Sequence, residues 1–291
     1  MKQFVKNGIS YLLLTLGALM LILPFIWMLV TSVQTPAAAL AVPPVWLPRS
    51  LQWTNYIQAW HAAPFTRYLL NSVLVTGTTT IGQLVTSILA AFAFTHLQFY
   101  GRRILFALLI STMMVPGELL LIPNFVTLAH LHWLDTYAAL IIPWLTSVFA
   151  MFALRQAFAA QPRTRYYAAC IDGASNWQYL WQILVPANRT TIAAVAILQT
   201  IGAWNAFMWP LIVTNSELLW TLPVGLTAFT SDAGTNYPLL MAATVLVILP
   251  LLLVYLLLQK YIITGITKAK LSAGAGRQTP TTSTIKRENI I

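Results

Sequence analysis

Charge is what this chain has least of. Charged residues fill 8% of its 291 positions, and only six of them are acidic. A soluble globular domain carries about a quarter charged residues, so the composition excludes one. Cysteine is nearly absent: Cys170 stands alone, which excludes an intrachain disulfide. Histidine occurs four times, at His61, His96, His130 and His132, scattered or on one short polar loop, and no metal-ligand spacing emerges. Nor is there a glycine-rich phosphate cradle or a nucleophile elbow. No catalytic residue, nucleotide site, metal or cofactor is therefore expected in the chain itself. Basic residues outnumber acidic ones and give a net charge of +10. They stand singly or in pairs between apolar runs, without the stripe and interleaved aromatics of a nucleic-acid surface, so no nucleic-acid partner is expected.

What is there is apolar length. Hydrophobic residues make up 58% of the sequence, with mean hydropathy +0.74, and they gather in six long runs: 8–33, 69–95, 104–128, 137–158, 190–213 and 237–263. Each is long enough to cross a bilayer as a helix. The expected fold is an all-α integral membrane protein of six spans, with membrane lipid as its surroundings. The first run is too long for the core of a cleaved signal peptide. Residues 1–68 then form the first helix with a Pro- and Trp-rich outer loop. Residues 69–263 form a core of five helices, and residues 264–291, rich in Gly, Ser, Thr, Lys and Arg, form a flexible basic tail.

Lys and Arg bias sets orientation. With the N-terminus cytoplasmic, Arg49 and Arg67 face out and the other 14 of the 16 basic residues face in. An even number of spans returns the C-terminus to the cytoplasm. Glu118, Asp135, Glu217 and Asp232 fall at or near the outside. Glu118 stands beside a kink expected at Pro116–Gly117; a carboxylate at bilayer depth marks function, while one at the interface is simply solvated.

One polar stretch interrupts the core, residues 162–187, between spans four and five and therefore on the cytoplasmic side. Pro162 is placed to open a short helix. Ser175 with Gln178 fits a capping box that starts a second one, along which Trp177, Leu180, Trp181 and Leu184 recur at helical spacing. Pro186 is placed to end it, and Gly173 to take a turn position with positive φ. Two short amphipathic helices on a Gly hinge suit docking into a partner protein; an amphipathic loop resting on the membrane surface has the same pattern.

Within this stretch Ala168-Ala169, Asp172-Gly173-Ala174 and Pro186 resemble the loop of binding-protein-dependent ABC importer permeases, whose coupling helices dock into the ATPase subunit. Tyr167 stands where that family has Glu. Further matches are Asn71-Ser72, the stretch Gly202 to Leu211, Thr221 to Leu226 and the run from Leu249 to Gly265. Lys268 to Ser272 departs from the family's closing element. The similarity is to the carbohydrate-uptake group, of maltose and glycerol-3-phosphate transporter type. It implies a multi-pass protein of the bacterial cytoplasmic (inner) membrane that forms half of a translocation path beside a second homologous permease. An extracytoplasmic solute-binding protein would deliver the solute, a sugar or a sugar-like compound. An ATPase subunit dimer would dock on Tyr167, Ala168, Ala169, Asp172, Gly173, Ala174 and Pro186, and hydrolysis would belong to that partner.

Amide and indole groups suit a sugar path, because sugars offer hydroxyls to bond and ring faces to stack. Trp204, Asn205 and Trp209 in span five supply them, and a continuous helix would place Asn205 and Trp209 on one face. The same residues serve equally as packing and an interface anchor. Span two is unusually polar, with Asn71, Ser72, Thr76, Thr78, Thr79, Thr80, Gln83, Thr86 and Ser87, which suit either helix contact or a path. The competing class is a stand-alone secondary transporter or channel, which calls for inverted repeats and coupled intramembrane charges. No clear repeat is found, and Glu118 is the one candidate carboxylate. A membrane-embedded enzyme calls for a cluster of His, Asp or Glu, which the spacing does not supply.

Overall fold

Apolar length decides where a chain can cross a bilayer, and backbone breaks decide how. The computed structural model describes residues 2–231 and 234–275; Asp232 and the tail beyond Ala275 lie outside the described residues. Fifteen α-helices follow in chain order: α1 Lys2–Ser32, α2 Pro36–Ala39, α3 Thr54–His61, α4 Phe65–His96, α5 Arg102–Thr112, α6 Leu121–His130, α7 Tyr137–Ile141, α8 Val148–Ala159, α9 Arg163–Ile171, α10 Asn176–Gln178, α11 Val185–Ala187, α12 Arg189–Trp204, α13 Met208–Val213, α14 Leu222–Gly225 and α15 Tyr237–Ala275. A two-residue antiparallel ladder, Thr230–Ser231 with Gly234–Thr235, is the one departure from helix and loop among them. Four segments are long and apolar enough to span: Ser10–Ser32, Phe65–His96, Tyr137–Ala159 and Tyr237–Leu257. A fifth is a bent pair, Arg102–Thr112 with Gly117–His130, turning by 95°. The chain is a multi-pass helical membrane protein.

Six uninterrupted helices is not what the backbone adopts. The third run breaks at Met113–Pro116, where Pro116 has no N–H and pushes its neighbour out of the helical region. The fourth unwinds at Leu145–Ser147. The fifth, expected as one helix over 190–213, stops at Trp204 and resumes at Met208. Pro210 has no N–H for the Ala206 carbonyl and its ring would strike it, so helix cannot run through 206. The last run carries helix on to Ala275, through the first part of the expected tail.

Irregular backbone at membrane depth survives only where something satisfies its polar groups. At the fourth break α4 does this. Thr86 Oγ1 donates to the Leu145 carbonyl at 2.9 Å, and Ser87 Oγ to that of Ser147 at 3.2 Å. The Leu145 side chain lies over Gly82, where a Cβ would meet its Cδ2. α4 contributes to all three cores. One joins Ile88, Ala91 and Phe92 to Leu154 and Phe158 of α8 and to Ala169, Tyr179, Leu180 and Leu184 of the 162–187 stretch. A second joins Phe65 and Tyr68 to Trp204 and to Ala242, Ala243 and Val247 of α15. The third joins Val75 to Leu140, Trp209 and Val213. At the other end of α4, Asn71 Nδ2 donates to the carbonyls of Leu218 and Trp220 at 2.8 and 2.9 Å, and Ser72 Oγ accepts from the Leu222 amide at 2.7 Å. Two stretches far apart in sequence, Asn71–Ser72 and Thr221–Leu226, are thereby clasped.

Candidate functional site: a polar cavity and a docking loop

The cavity begins with a stripe on α4. Ser72, Thr76, Thr79 and Gln83 recur at steps of four, three and four, which keeps them on one helical face. They line a cavity of about 570 Å³ together with the end of α12, the 205–207 break, α13 and the Gly117–Glu118 kink. That volume lies in the range of about 300–1,000 Å³ usual for small-molecule sites. Gln199 Nε2 donates to Gln83 Oε1 at 2.9 Å, which ties α12 to α4 across it. Trp144 Nε1 and Thr221 Oγ1 at the wall are buried and hydrogen-bond to nothing among the described residues. Glu118 is the single charged residue of the lining.

The three path residues read from span five all reach this cavity, in different ways. Asn205 ends α12, is exposed, and lines the cavity. Trp204 and Trp209 are buried, and their indole N–H groups are spent on backbone: Trp204 Nε1 on the Val247 carbonyl at 3.1 Å, Trp209 Nε1 on that of Ala139 at 3.0 Å. They fasten α12 to α15 and α13 to α7, and offer a solute ring surface rather than a donor. The shared helix face expected for Asn205 and Trp209 does not exist, because the helix breaks between them. Gln83 and the threonines were visible as polar residues in an apolar run, and their spacing was the available signal. Gln199, Trp144 and Thr221 come from separate elements and gave none.

The loop at residues 162–187 is built as its sequence asks, with two exceptions. α9 ends in a left-handed Gly173, φ +79°. The Ala174 amide reaches back to the Ala169 carbonyl at 2.9 Å, and that of Gly173 to Cys170 at 3.1 Å, the paired bonds of a Schellman cap. Ser175 and Gln178 form the capping box that opens α10. The first exception is Pro186. Helix continues through it to Ala187, because residues Tyr179–Leu184 take a π-helical turn that widens the path where the proline ring would strike the preceding carbonyl. The chain stops only at Asn188, whose Nδ2 donates to the Leu184 carbonyl at 2.8 Å. The second is the apolar face. Leu180 and Leu184 are buried, while Trp177 is 61% exposed.

The loop's inner side is a clasp. Tyr166 O–H donates to Asn176 Oδ1 at 2.8 Å, and the Tyr166 and Tyr179 rings meet edge to face at 5.0 Å. Burial, with Cys170 and Tyr167 beside it, pushes the Tyr166 phenol above its usual value; burial does the same for Tyr179. His96 and Phe92 of α4 pack on Tyr179 at 5.4 and 6.4 Å. The outer side is open. Tyr167 is 56% and Ile171 86% exposed, with Ala168, Asp172, Gly173 and Pro186 exposed beside them. Ala169 is buried and Ala174 half-buried, and both pack inward against the loop's core.

A family match covers this whole region. Residues 83–268 match the binding-protein-dependent transport system inner membrane component family. The chain belongs to that family. This permease is 31% identical over 268 residues to the sn-glycerol-3-phosphate transport system permease protein UgpE of Yersinia pestis, spanning 89% of this chain and 95% of the relative. It is 34% identical over 221 residues to the arabinooligosaccharides transport system permease protein AraQ of Bacillus subtilis, spanning 76% and 79%. Its fold matches a chain of a bacterial ABC transporter involved in the import of the acidic polysaccharide alginate, with TM-score 0.80 and 23% identity over 90% of this permease and 98% of that chain.

Proposed function

We propose that this permease is one of two membrane subunits of an ATP-driven importer for a sugar or sugar-like solute, coupled to an ATPase dimer through residues 162–187. One observation carries the reading. The buried side of the loop and the C-terminal third of α4 share a single core, Ala169, Tyr179, Leu180 and Leu184 with Ile88, Ala91 and Phe92. The stripe that lines the cavity begins one and a half turns further along the same helix, at Gln83. A partner that pulls or tilts the loop therefore moves the cavity wall as one body.

Tyr167, Ile171 and the Asp172–Gly173 turn form the surface offered to the ATPase, and Ala169, Ala174 and the Pro186 turn support it. The cavity is a half-site, completed by the second permease and filled from an extracytoplasmic binding protein. Amides, hydroxyls and indole faces around it suit sugar hydroxyls and ring faces. Both termini lie in the cytoplasm, the six hydrophobic runs cross the bacterial inner membrane with breaks in the third to fifth, and the first 68 residues and the tail flank the core. Hydrolysis belongs to the partner.

The test is reconstitution of the complex purified through this chain. Stimulation of ATPase activity by a loaded binding protein, lowered about five- to thirtyfold when Gly173 is replaced by Leu, supports the coupling. Uptake without any co-purifying ATPase overturns it.

A further inference from the structure

On the membrane side of α9 lies a second hollow, of about 400 Å³. Its charged lining is of one sign. Arg102, Arg155 and Arg163 meet there with His96, from the start of α5, the last two turns of α8, the start of α9 and the end of α4. Among the described residues no Asp or Glu lines it. Arg102, Arg155 and His96 are half-buried. Arg155 Nε and His96 Nδ1 are buried without a hydrogen-bond partner among the described residues. The other interactions leave donors free: Arg102 gives Nη1 to the Leu97 carbonyl at 2.8 Å, and Arg155 lies 4.2 Å over the Phe106 ring. Two half-buried guanidiniums with a third exposed at the rim, and no counter-charge among the described residues, are unfavourable unless an anion joins them, and guanidinium forks match a phosphate bidentately.

Position selects the anion. His96 and Ala159 end the apolar segments of α4 and α8, so the hollow sits where hydrocarbon gives way to headgroups. Ile104, Leu105 and Leu108 follow Arg102 on α5 as exposed apolar side chains, a surface for acyl chains. A soluble anion would use the charges and leave that flank empty. Basic pockets between spanning helices hold anionic lipid headgroups, whereas a zwitterionic lipid would bring its own cation against the arginines. We propose that this hollow binds the phosphate of an anionic phospholipid of the phosphatidylglycerol type. Because Arg163 and Tyr166 belong to α9 and line the hollow, a bound headgroup braces the root of the 162–187 loop against α4, α5 and α8. The inference rests on the membrane reading of these helices and on neither the solute nor the ATPase.

The experiment takes the intact complex from nanodiscs of mixed phosphatidylglycerol and phosphatidylcholine and counts retained lipid by native mass spectrometry. Phosphatidylglycerol should be retained preferentially. Arg102→Gln and Arg163→Gln should each lower its retention about fivefold, the factor one basic residue contributes towards an anionic membrane surface. Arg163→Lys should restore most of it. Arg163 is exposed at a helix start, so its variants keep the test open if Arg155→Gln fails to fold. Equal retention of the two lipids, or unchanged retention in both Arg→Gln variants, overturns the proposal. Displacement of the lipid by excess inorganic phosphate overturns the lipid source in favour of a soluble anion. Retention that appears only after the ATPase subunits are stripped away reassigns the arginines to an acidic side chain of that partner. None of these readouts depends on uptake, so the site and the importer reading fail separately.

Discussion

At Gly173 the backbone turns with φ +79°, and a Cβ there would meet nothing within 4 Å. Substitution is therefore penalised through the left-handed conformation alone, by about 1–2 kcal/mol. Gly173→Leu should leave the amount of assembled complex unchanged and lower binding-protein-stimulated ATPase activity by about five- to thirtyfold, the same energy expressed as a ratio. Normal stimulation would remove the turn from the coupling surface. Asn205 invites a different measurement. Its side chain is exposed on the cavity, so Asn205→Ala should preserve the melting temperature while uptake falls about fivefold for one lost solute hydrogen bond of about 1 kcal/mol. Trp204→Phe should do the reverse. It strands the buried Val247 carbonyl, which loses the bond at 3.1 Å, and should cost about 1–3 kcal/mol of stability. Equal losses of stability and uptake in both variants would make Asn205 a packing residue as well.

Among the elements, α4 takes part in every core, and its small and hydroxylated residues explain how. Gly82 admits Leu145, while Thr86 and Ser87 satisfy carbonyls that the unwound Leu145–Ser147 segment releases. Gly82→Leu should force α8 away and lower complex yield and melting temperature, an overpacking cost of about 1–3 kcal/mol; wild-type melting would mean that Leu145 simply rotates aside. The loop helices illustrate what sequence can and cannot show. The capping box and the glycine turn were legible because each is closed by atoms within five residues. The π turn across Pro186 was not. Proline alone says that ordinary helix should stop, and the buried side chains of Tyr179, Leu180 and Leu184 hold the helix together through it.

For the whole molecule, the orientation expected from the charge bias has a direct check. In a Cys170→Ser background, a cysteine at Asn215 should react with an impermeant maleimide on intact spheroplasts. One at Tyr100, a fully exposed residue of the α4–α5 connection, should react only after permeabilisation. The opposite pattern would invert the permease and put residues 162–187 out of an ATPase's reach.

Sequence by itself determined the membrane class, the main apolar segments, the polar stretch between them and its turn chemistry, and the family resemblance carried by those residues. These depend on hydropathy over about 20 residues and on hydrogen bonds between near neighbours, both written locally. Only the tertiary structure decided where the helices break and what gathers at the breaks. It set Gln83 against Gln199, turned the indoles of Trp204 and Trp209 inwards onto backbone carbonyls, and brought Arg102, Arg155 and Arg163 into one hollow. A carbonyl outside regular helix finds its partner on a distant element, 149 positions away for Trp220 and Asn71, and the two glutamines meet across 116 positions. That partner is chosen by packing, which leaves no periodic mark along the chain.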